Sequence, residues 1–425
     1  MKKLLSLLLA LAMLVCCFAF AACGDTADDG KDTDTQTGEV NGDDTGDTAA
    51  NADFKLGVIL LHDEFSTYDL NFMNGVEEAK AALGLSDDQI IMKKNIPESD
   101  ACYEAACDLV DEGCDVIFAD SFGHETYMLK AAKEFPDVEF CHATGTMAHT
   151  EGLANFHNAF ASIYEGRYLA GVAAGLKLNA MIEDGTITAE QAKIGYVGAF
   201  TYAEVISGYT SFYLGAKSVC PSATMDVQFT GSWYDETAEK NAAQALIANN
   251  CVLISQHADS MGAPTACEEA GVPNVSYNGS TVEDCPNTFI VASRINWAPY
   301  FKLICENAMK GEAIPTDWTG TIATGSVVLT DVNTQAAAAG TVEKLEEVKA
   351  GLLDGTVKVF DTAADNFITV GGAKLETYLA DVDTDDAFTP DTEAVADGYF
   401  HESEYRSAPY FDVRIDGITL LNDAY

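Results

Sequence analysis

Basic residues are scarce in this sequence. Its 425 residues include 23 Lys and Arg against 67 Asp and Glu, so the formal net charge is −44. Nucleic-acid binding depends on Lys and Arg side chains that displace counterions from the phosphate backbone. Anionic lipid headgroups attract basic segments for the same reason. The charge therefore argues against nucleic acid and anionic membrane surfaces as partners.

Common catalytic motifs are also missing. The sequence contains no GxSxG, HExxH, GxxxxGK[ST] or strand-following GxGxxG, the motifs typical of hydrolases, zinc proteases, NTPases and dinucleotide enzymes. Asp63 and Glu64 could serve as paired carboxylates, but adjacent loop residues normally point apart. Cys141, His142 and His149 could ligate a metal, but no second motif at ligand spacing accompanies them. We therefore expect a protein that is not an enzyme and has no cofactor and no metal site.

The cysteines do not form a recognisable framework. There is no CxxC pair, and nine cysteines remain after Cys23, an odd number. An exported chain of this length does not need disulfides for stability. We expect these cysteines to pack as small apolar side chains.

The N-terminal segment has the pattern of an export signal. Residues 1–22 begin with a basic pair followed by an apolar run, as in secretory signal peptides. The run ends in FAAC, which resembles a lipobox with Cys23 as the lipidated residue; Cys16 and Cys17 are alternative acceptors. Residues 23–52 are acidic and almost free of large apolar side chains, which is typical of a disordered tether. A plain secretory peptide or a membrane span stays open as an alternative.

From residue 53 the sequence alternates short apolar runs with amphipathic stretches. The apolar runs predict strands at 55–61, 116–119, 140–143, 194–197, 252–255, 275–277 and 289–293. The amphipathic stretches predict helices at 70–83, 101–112, 125–135, 163–178, 203–218, 237–249, 262–270 and 297–309. Such alternation predicts an α/β fold with parallel sheets covered on both faces.

The segments that follow the predicted strands combine aromatic rings with neutral hydrogen-bonding groups. These segments are His62–Tyr68, Asp120–Gly123, Gly198–Tyr202, Gln256–Ser260, Asn278–Ser280 and Arg294–Trp297. In open parallel sheets, ligands bind beyond the carboxyl ends of the strands. The set predicts a pocket for a planar, uncharged, polar molecule. For any single residue, closing a loop or capping a helix is an equally good role, and for Glu204 a helix-start carboxylate is the expected one.

Residues 54 to about 325 resemble a known family. The resemblance is carried by YEGRYLAGVAAG from Tyr164, IGYVGA from Ile194, GSWYD from Gly231, QHADS from Gln256 and NWAPY from Asn296. These segments are similar to the basic membrane protein family of ABC-transporter substrate-binding lipoproteins, which includes purine nucleoside receptors.

The resemblance implies a two-lobed type I periplasmic-binding-protein fold that closes on its ligand. Each lobe would be a parallel sheet flanked by helices, with three hinge crossings near residues 158, 278 and 325. The implied domains are a first lobe of 53–158 and 279–325, a second lobe of 159–278 and 326–370, and an acidic C-terminal extension of 371–425.

The resemblance also implies a set of ligand-binding residues. Tyr68 and Phe72 take the place of the first aromatic clamp. The second loop and the second-lobe aromatics correspond to Ser121, Phe122, Phe200 and Trp233. The polar ligands correspond to Asp259, Asn278 and Asn296, and His257 and Trp297 join the expected set.

Two departures from the family pattern bear on the ligand. Asn278 stands where nucleoside receptors tend to have Asp, and Asn296–Trp297 lies near the position of the Lys that grips ribose. These changes favour a free purine base over a nucleoside. The resemblance implies a monomeric receptor, anchored by its N-terminal lipid at the extracytoplasmic face of the cell membrane, that delivers a purine base or nucleoside to an ABC permease. The alternatives are a receptor for riboflavin or another small solute, and a sensor lipoprotein that signals to a membrane partner.

The C-terminal extension contains a partial calcium motif. Asp381, Asp383 and Asp385 match the start of a calcium loop, but Asp386 and Thr392 replace the required Gly and Glu. We expect a solvated acidic loop here. The aromatic residues between 399 and 411 predict that the extension folds and packs on a lobe or a partner.

Overall fold

The computed structural model describes residues 53–365, 367–382 and 389–422. The predicted signal peptide, Cys23 and the acidic tether lie outside these ranges. Within them, none of the helices combines the length and the apolar character that crossing a bilayer requires.

Helices and strands alternate along most of the described chain. The helices are Thr67–Leu83 (α1), Asp100–Asp111 (α2), Glu125–Glu134 (α3), Ala148–Glu151 (α4), Ile163–Glu183 (α5), Ala203–Val219 (α6), Glu236–Ala248 (α7), Gly262–Ala270 (α8), Ala298–Lys310 (α9) and Thr341–Asp354 (α10). The longer strands are Leu56–Ile59 (β1), Ile90–Lys93 (β2), Val116–Ala119 (β3), Glu139–Ala143 (β4), Phe156–Ala161 (β5), Lys193–Gly198 (β6), Thr224–Phe229 (β7), Leu253–His257 (β8), Asn274–Tyr277 (β9), Phe289–Ile295 (β10), Asp317–Gly320 (β11) and Val327–Leu329 (β12). The C-terminal strands are Thr369–Val370 (β13), Ala373–Lys374 (β14), Leu379–Ala380 (β15), Thr392–Glu393 (β16), Val395–Ala396 (β17), Tyr399–Phe400 (β18) and Ile418–Leu420 (β19).

The strands form two large sheets, each the centre of a lobe. The first sheet has the order β11-β5-β4-β3-β1-β2 and is parallel throughout. The second has the order β12-β10-β9-β8-β6-β7-β19, and within it β12 alone runs antiparallel to its neighbour. We call the first sheet with α1–α4 and α9 the first lobe, and the second sheet with α5–α8 and α10 the second lobe. The predicted α/β architecture is confirmed.

The second crossing between the lobes differs from its predicted position near residue 278. Strand β10 lies in the second sheet, where it pairs with β9 and β12, although residues 279–325 were assigned to the first lobe. The chain passes to the first lobe only after Ile295, where α9 packs against α1. The reason is that the apolar run of β10 completes the parallel ladder beside β9 before the chain leaves the sheet.

Two glycines allow α5 and α6 to pack with unusually close backbones. A Cβ atom placed on Gly171 would lie 2.0 Å from the carbonyl oxygen of Phe212, and one on Gly215 would lie 2.0 Å from that of Tyr168. A side chain at either position would separate the helices. Gly171 of the YEGRYLAGVAAG segment is therefore required by helix packing.

The C-terminal extension is folded and packs on the second lobe. Strand β19 pairs in parallel with β7 and so becomes an edge of the second sheet. The rings of Phe360 and Phe411 stack with centroids 4.3 Å apart, and Phe400 meets Phe411 edge-on at 4.8 Å. These rings and the strand pairing explain why the extension is a folded unit. Of the partial calcium motif, Asp383, Asp385 and Asp386 lie outside the described residues.

The nine cysteines after Cys23 are all free thiols in the structure, and eight of them are buried. The prediction that they pack as small apolar groups holds for these eight, whereas Cys107 is half-buried. In the described part of the chain, no group of three or more His, Cys, Asp and Glu side chains is arranged to hold a metal ion.

Candidate ligand-binding site

A cavity lies between the carboxyl ends of the two sheets. Its volume is about 380 Å³, counting space open to solvent. First-lobe residues lining it are Leu61, His62, Tyr68, Ser121, Phe122 and Thr144, and second-lobe residues are Glu204, Trp233, His257, Asp259 and Tyr277. The lining contains six of the residues predicted from sequence, namely Tyr68, Ser121, Phe122, Trp233, His257 and Asp259.

The first-lobe wall is fixed by the start of α1. Ser66 caps this helix, and the hydroxyl of Tyr68 donates a hydrogen bond of 2.8 Å to the carbonyl oxygen of Asp120. Asp120 also accepts from the backbone N–H of Leu61 through Oδ1. Burial, with the nearby Asp69, raises the pKa of the Asp120 carboxyl well above its usual value. The ring of Tyr68 is therefore held at the cavity by a buried network behind it.

In the second lobe, His257 and Tyr277 lie side by side. Their ring centroids are 4.5 Å apart, and the Nε2 atom of His257 lies 3.4 Å from Oε1 of Glu204. Burial lowers the pKa of His257, although Glu204 opposes this shift. The Nδ1 atom of His257 and the hydroxyl of Tyr277 have no hydrogen-bond partner within the described protein. Both atoms are buried, and Nδ1 of His257 lies against Gly208 of α6, where an added Cβ would be 2.4 Å from it.

Asp259 is the buried carboxyl of this cavity. It is 5% exposed, and its Oδ1 accepts a hydrogen bond of 3.1 Å from the amide of Asn278. Burial raises its pKa well above the usual value, Glu239, Asp69 and Glu204 raise it further, and Asn278 lowers it. The cavity is therefore lined by a buried carboxyl that Asn278 already holds from behind.

The carboxyl ends of the second sheet are held in place by Arg167. This fully buried side chain donates hydrogen bonds to Ser255, Gln256, Ser276, Ser293 and the hydroxyl of Tyr196. It thereby ties together β6, β8, β9 and β10. The arginine of the YEGRYLAGVAAG segment is thus a structural residue that positions the strand ends beneath the ligand.

A row of aromatic rings continues from the cavity to its mouth. Trp233 meets Phe200 edge-on with centroids 5.0 Å apart, and Phe200 stacks on Tyr202 at 5.1 Å. Tyr202 in turn lies 5.3 Å from Phe122 on the opposite lobe. Phe200 does not line the cavity; it supports the ring of Trp233.

The two lobes are closed on each other in this structure. The backbone N–H of Thr67 donates to the carbonyl oxygen of Asp259 over 3.2 Å, and the amide of Asn71 donates to the carbonyl oxygen of Asn278 over 2.8 Å. The helix that presents Tyr68 therefore also forms the direct polar link to the second lobe.

Comparisons with known proteins agree with this arrangement. A family model described as Bmp, ABC transporter substrate-binding protein PnrA-like, matches residues 62–356. The chain belongs to this family.

Two relatives of this Bmp-family chain match its sequence over different lengths. A candidate ABC transporter glucose-binding protein of Haloferax volcanii is 28% identical over 305 residues, which are 72% of this chain and 73% of that protein. A purine-binding protein of Brucella abortus is 31% identical over 228 residues, which are 52% of this chain and 60% of that protein.

Solved structures confirm the fold. A solute-binding protein of an ABC transporter system from Aeropyrum pernix K1 superposes with a TM-score of 0.61 at 16% identity, covering 74% of this chain and 94% of its own. One from Conexibacter woesei DSM 14684 gives 0.57 at 18% identity, covering 74% and 99%. The Bmp chain has the two-lobed type I periplasmic-binding-protein fold.

Two aromatic residues predicted for the site lie in the core of the first lobe instead. Phe72 and Trp297 are fully buried and stack with ring centroids 4.4 Å apart, between α1 and α9. Phe72 follows Tyr68 by one helical turn, but Tyr68 reaches the cavity whereas Phe72 packs against Trp297. Neither of these two predicted ligand contacts lines the cavity, because α1 turns its second aromatic residue toward the core.

Two predicted polar residues also lie outside the cavity lining. The backbone N–H of Asn296 donates to Ser326 and its amide to the carbonyl oxygen of Gly325, so it joins the two strands that cross between lobes. Asn278 is buried behind Asp259, where its amide bonds that carboxyl and its carbonyl oxygen accepts the hydrogen bond from Asn71.

Five lining residues are not among the eleven individually predicted ligand contacts, namely Leu61, His62, Thr144, Glu204 and Tyr277. His62 nevertheless begins one of the segments that the sequence predicts to form the pocket. Tyr277 is the last residue of β9, and Leu61 and His62 follow β1 closely. Their positions at strand ends were a usable signal. For Thr144 the sequence contains no such signal, because its place in the lining depends on a left-handed backbone with φ +66°.

Proposed function

We propose that this Bmp-family protein is the extracytoplasmic substrate-binding component of an ABC importer, and that its cavity holds a purine nucleobase or nucleoside. One observation carries the proposal. The rings of Tyr68, Phe122, Trp233 and Tyr277 line the same cavity as the buried carboxyl of Asp259. Rings supply a flat apolar surface and the carboxyl a directional hydrogen bond, which together suit a heteroaromatic base.

Affinity and selectivity come from different groups in the cavity. Stacking a base on an aromatic side chain contributes about 1 to 3 kcal/mol and tolerates different bases. Selectivity must come from the polar groups, here Asp259, His257 and the hydroxyl of Tyr277. A ligand that leaves one of these buried groups unpaired loses about 1 to 3 kcal/mol.

The charge of the lining argues against anionic ligands. Among the described residues that line the cavity there is no Lys or Arg, whereas Glu204 and Asp259 are both present. A phosphate would lie beside carboxyl groups without a compensating cation. We therefore propose that nucleotides are excluded and that a neutral base or nucleoside is the transported form.

The two curated relatives point to different ligand classes. The Brucella relative is named a purine-binding protein, whereas the Haloferax relative is named as glucose-binding. Glucose is the second candidate, because Glu204 and Asp259 could accept hydrogen bonds from sugar hydroxyls. The several rings facing the cavity favour the purine.

Calorimetry on the purified protein, freed of bound ligand by unfolding and refolding, tests the proposal. The titrants are adenine, guanine, xanthine, their nucleosides, riboflavin, glucose and a mixture of amino acids. We expect saturable binding of at least one purine compound that is tighter than the binding of glucose. Binding of glucose or an amino acid without any purine would refute the proposal.

We further propose that Cys23 carries the lipid that holds the protein, as a monomer, at the outer face of the membrane beside its permease. In this proposal the protein binds its ligand without converting it. Cell fractionation tests the anchor: the natural chain should sediment with membranes, and Cys23→Ser should release it. A chain with Cys16→Ser is the matched control and should remain bound to membranes.

A further inference from the structure

A second depression borders the ligand cavity on the side of the C-terminal extension. We call it the side groove; it encloses about 1110 Å³, counting space open to solvent. Its lining residues are Phe122, Thr144, Thr146, Thr201, Tyr202, Ala203, Glu204, Ile206, Arg406, Ala408, Pro409, Asp412 and Arg414. Phe122, Thr144 and Glu204 line both spaces. The side groove is therefore the immediate neighbour of the cavity.

The outer wall of the side groove comes from a segment beyond the part of the chain that matches the family model. That match ends at residue 356, and the wall is formed by residues 406–414. The wall is attached to the second lobe by a hydrogen bond of 2.6 Å from the hydroxyl of Ser207 to Glu402. It is attached to the first lobe by a bond of 2.7 Å from the backbone N–H of Ser407 to Asp317. The wall is thus fixed when the lobes are closed.

The lining of the side groove is polar but balanced in charge. Arg406 and Arg414 are matched by Glu204 and Asp412. Arg406 already donates to the carbonyl oxygens of Ala408 and Pro409. Three threonines, at positions 144, 146 and 201, add hydroxyl groups. Such a lining suits an uncharged group with several hydroxyls better than an anion.

We infer that the side groove holds the sugar of a nucleoside whose base lies in the cavity, so that the C-terminal extension forms a third part of the binding site. The inference rests on the proposed function and narrows it from a base or a nucleoside to a nucleoside. It also reverses the preference for a free base that the sequence suggested at Asn278 and Asn296. Those two residues lie outside the cavity lining, so their identity does not bear on the sugar.

Filling the side groove tests the inference. Ala203 lines the groove but not the cavity, and it is half-buried in the first turn of α6. In Ala203→Phe, the added ring should weaken nucleoside binding by at least about tenfold and leave the binding of the matching free base unchanged. Ala101→Phe is the matched control, since Ala101 is also half-buried in the first turn of a helix and lies in neither space.

A second substitution tests the extension itself. Asp412 is exposed on the wall and accepts a hydrogen bond from Tyr378. Asp412→Ala should weaken nucleoside binding by about fivefold, through loss of one hydrogen bond, without affecting the base. Asp391→Ala, an exposed change outside the groove, is the control. Circular dichroism and thermal unfolding confirm that each variant is folded before titration.

The outcomes separate this inference from the proposed function. If the unaltered protein binds neither bases nor nucleosides, both fail. If it binds them but neither substitution discriminates between base and nucleoside, the side-groove inference alone is overturned. If Ala203→Phe discriminates and Asp412→Ala does not, the groove holds the sugar but the extension is no part of the site.

Discussion

The amide of Asn278 donates a hydrogen bond of 3.1 Å to Oδ1 of Asp259, and both side chains are buried after the ends of neighbouring strands. Asn278 has a left-handed backbone, with φ +64°, a conformation that Asn adopts more readily than most residues. The bond orients the Asp259 carboxyl, which lines the cavity while Asn278 does not. An uncharged residue here also avoids placing a second carboxylate beside a buried one.

Asp259→Asn should weaken ligand binding by about tenfold or more, since a buried hydrogen bond to a carboxyl is lost or reversed. The folded state should not become less stable, because a buried carboxyl is removed. Calorimetry with the cognate ligand and urea unfolding measure the two effects. Asp226→Asn is the control, because Asp226 is buried but bonds Lys193 and Asn249 instead of lining the cavity. Unchanged affinity in Asp259→Asn would contradict the assigned role.

Trp233→Ala should reduce affinity by about 1 to 3 kcal/mol, the usual contribution of a base stacked on a ring. Trp233 is only half-buried, so the fold should tolerate the change. The Kd measured by calorimetry gives the result. Trp318→Ala provides a half-buried tryptophan outside the cavity for comparison; an equal loss of affinity in both variants would argue against direct stacking on Trp233.

Trp297→Ala should destabilise the first lobe by about 3 to 5 kcal/mol, the usual cost of emptying a large aromatic site in a core. Its ring stacks on Phe72 and lies within 6.1 Å of Tyr300, with no exposed surface. Urea unfolding gives the loss of stability, and calorimetry below the unfolding transition should give a nearly unchanged Kd. If Trp297→Ala had unchanged stability but bound the ligand more weakly, Trp297 would have to be a ligand contact and not a core residue.

Glu402 should make stability depend on pH. Burial raises its pKa to about 7; Glu165 adds to the rise, whereas hydrogen bonds from Ser207 and Ser403 and the charge of Arg406 lower it. Between the ordinary Glu value and about 7, the folded state holds a proton that the unfolded state has lost. The contribution of Glu402 to the free energy of unfolding is therefore greatest below the ordinary pKa of Glu. It is lost as the pH rises from that value to about 7.

Glu402→Gln should remove this dependence. The free energy of unfolding is measured with urea at pH 5 and at pH 8. Between these two pH values it should fall by about 2 to 3 kcal/mol more in the natural chain than in the variant. Glu376→Gln, at an exposed position, is the control and should behave like the natural chain. If Glu402→Gln lost as much unfolding free energy between pH 5 and pH 8 as the natural chain, Glu402 would not be the source of the pH dependence.

Much of the fold followed from the spacing of apolar residues. Every predicted strand and helix has a counterpart, because buried parallel strands are continuous apolar runs and helices such as α2 and α9 have an apolar face. Helix α5 differs, because it is apolar on all sides and buried almost continuously from Gly166 to Gly175. Strands β2 and β7 were missed because they alternate or end in polar residues, as in Ile90–Lys93 and Thr224–Phe229. Strand β5 was missed because His157 and Asn158 interrupt its apolar run; both side chains are buried and hydrogen-bonded.

The site was predictable only in part. Residues immediately after strands, such as His257 and Asp259, could be located because strand ends meet at one edge of a sheet. The direction of a helical side chain could not be predicted. Tyr68 and Phe72 are aromatic residues one turn apart on the same helix, and only tertiary packing decides which of them faces the cavity. The groove formed by residues 406–414 was not foreseeable either, because it depends on β19 joining a strand almost 200 residues earlier.

Mass spectrometry of the small molecule that co-purifies with the natural full-length protein tests the central claim most directly. The protein is isolated without refolding, washed, and denatured to release its ligand, and a Trp233→Ala preparation is processed in parallel. We expect a purine compound in near-stoichiometric amount from the natural chain and much less from the variant. A sugar or an amino acid released in place of a purine would contradict it.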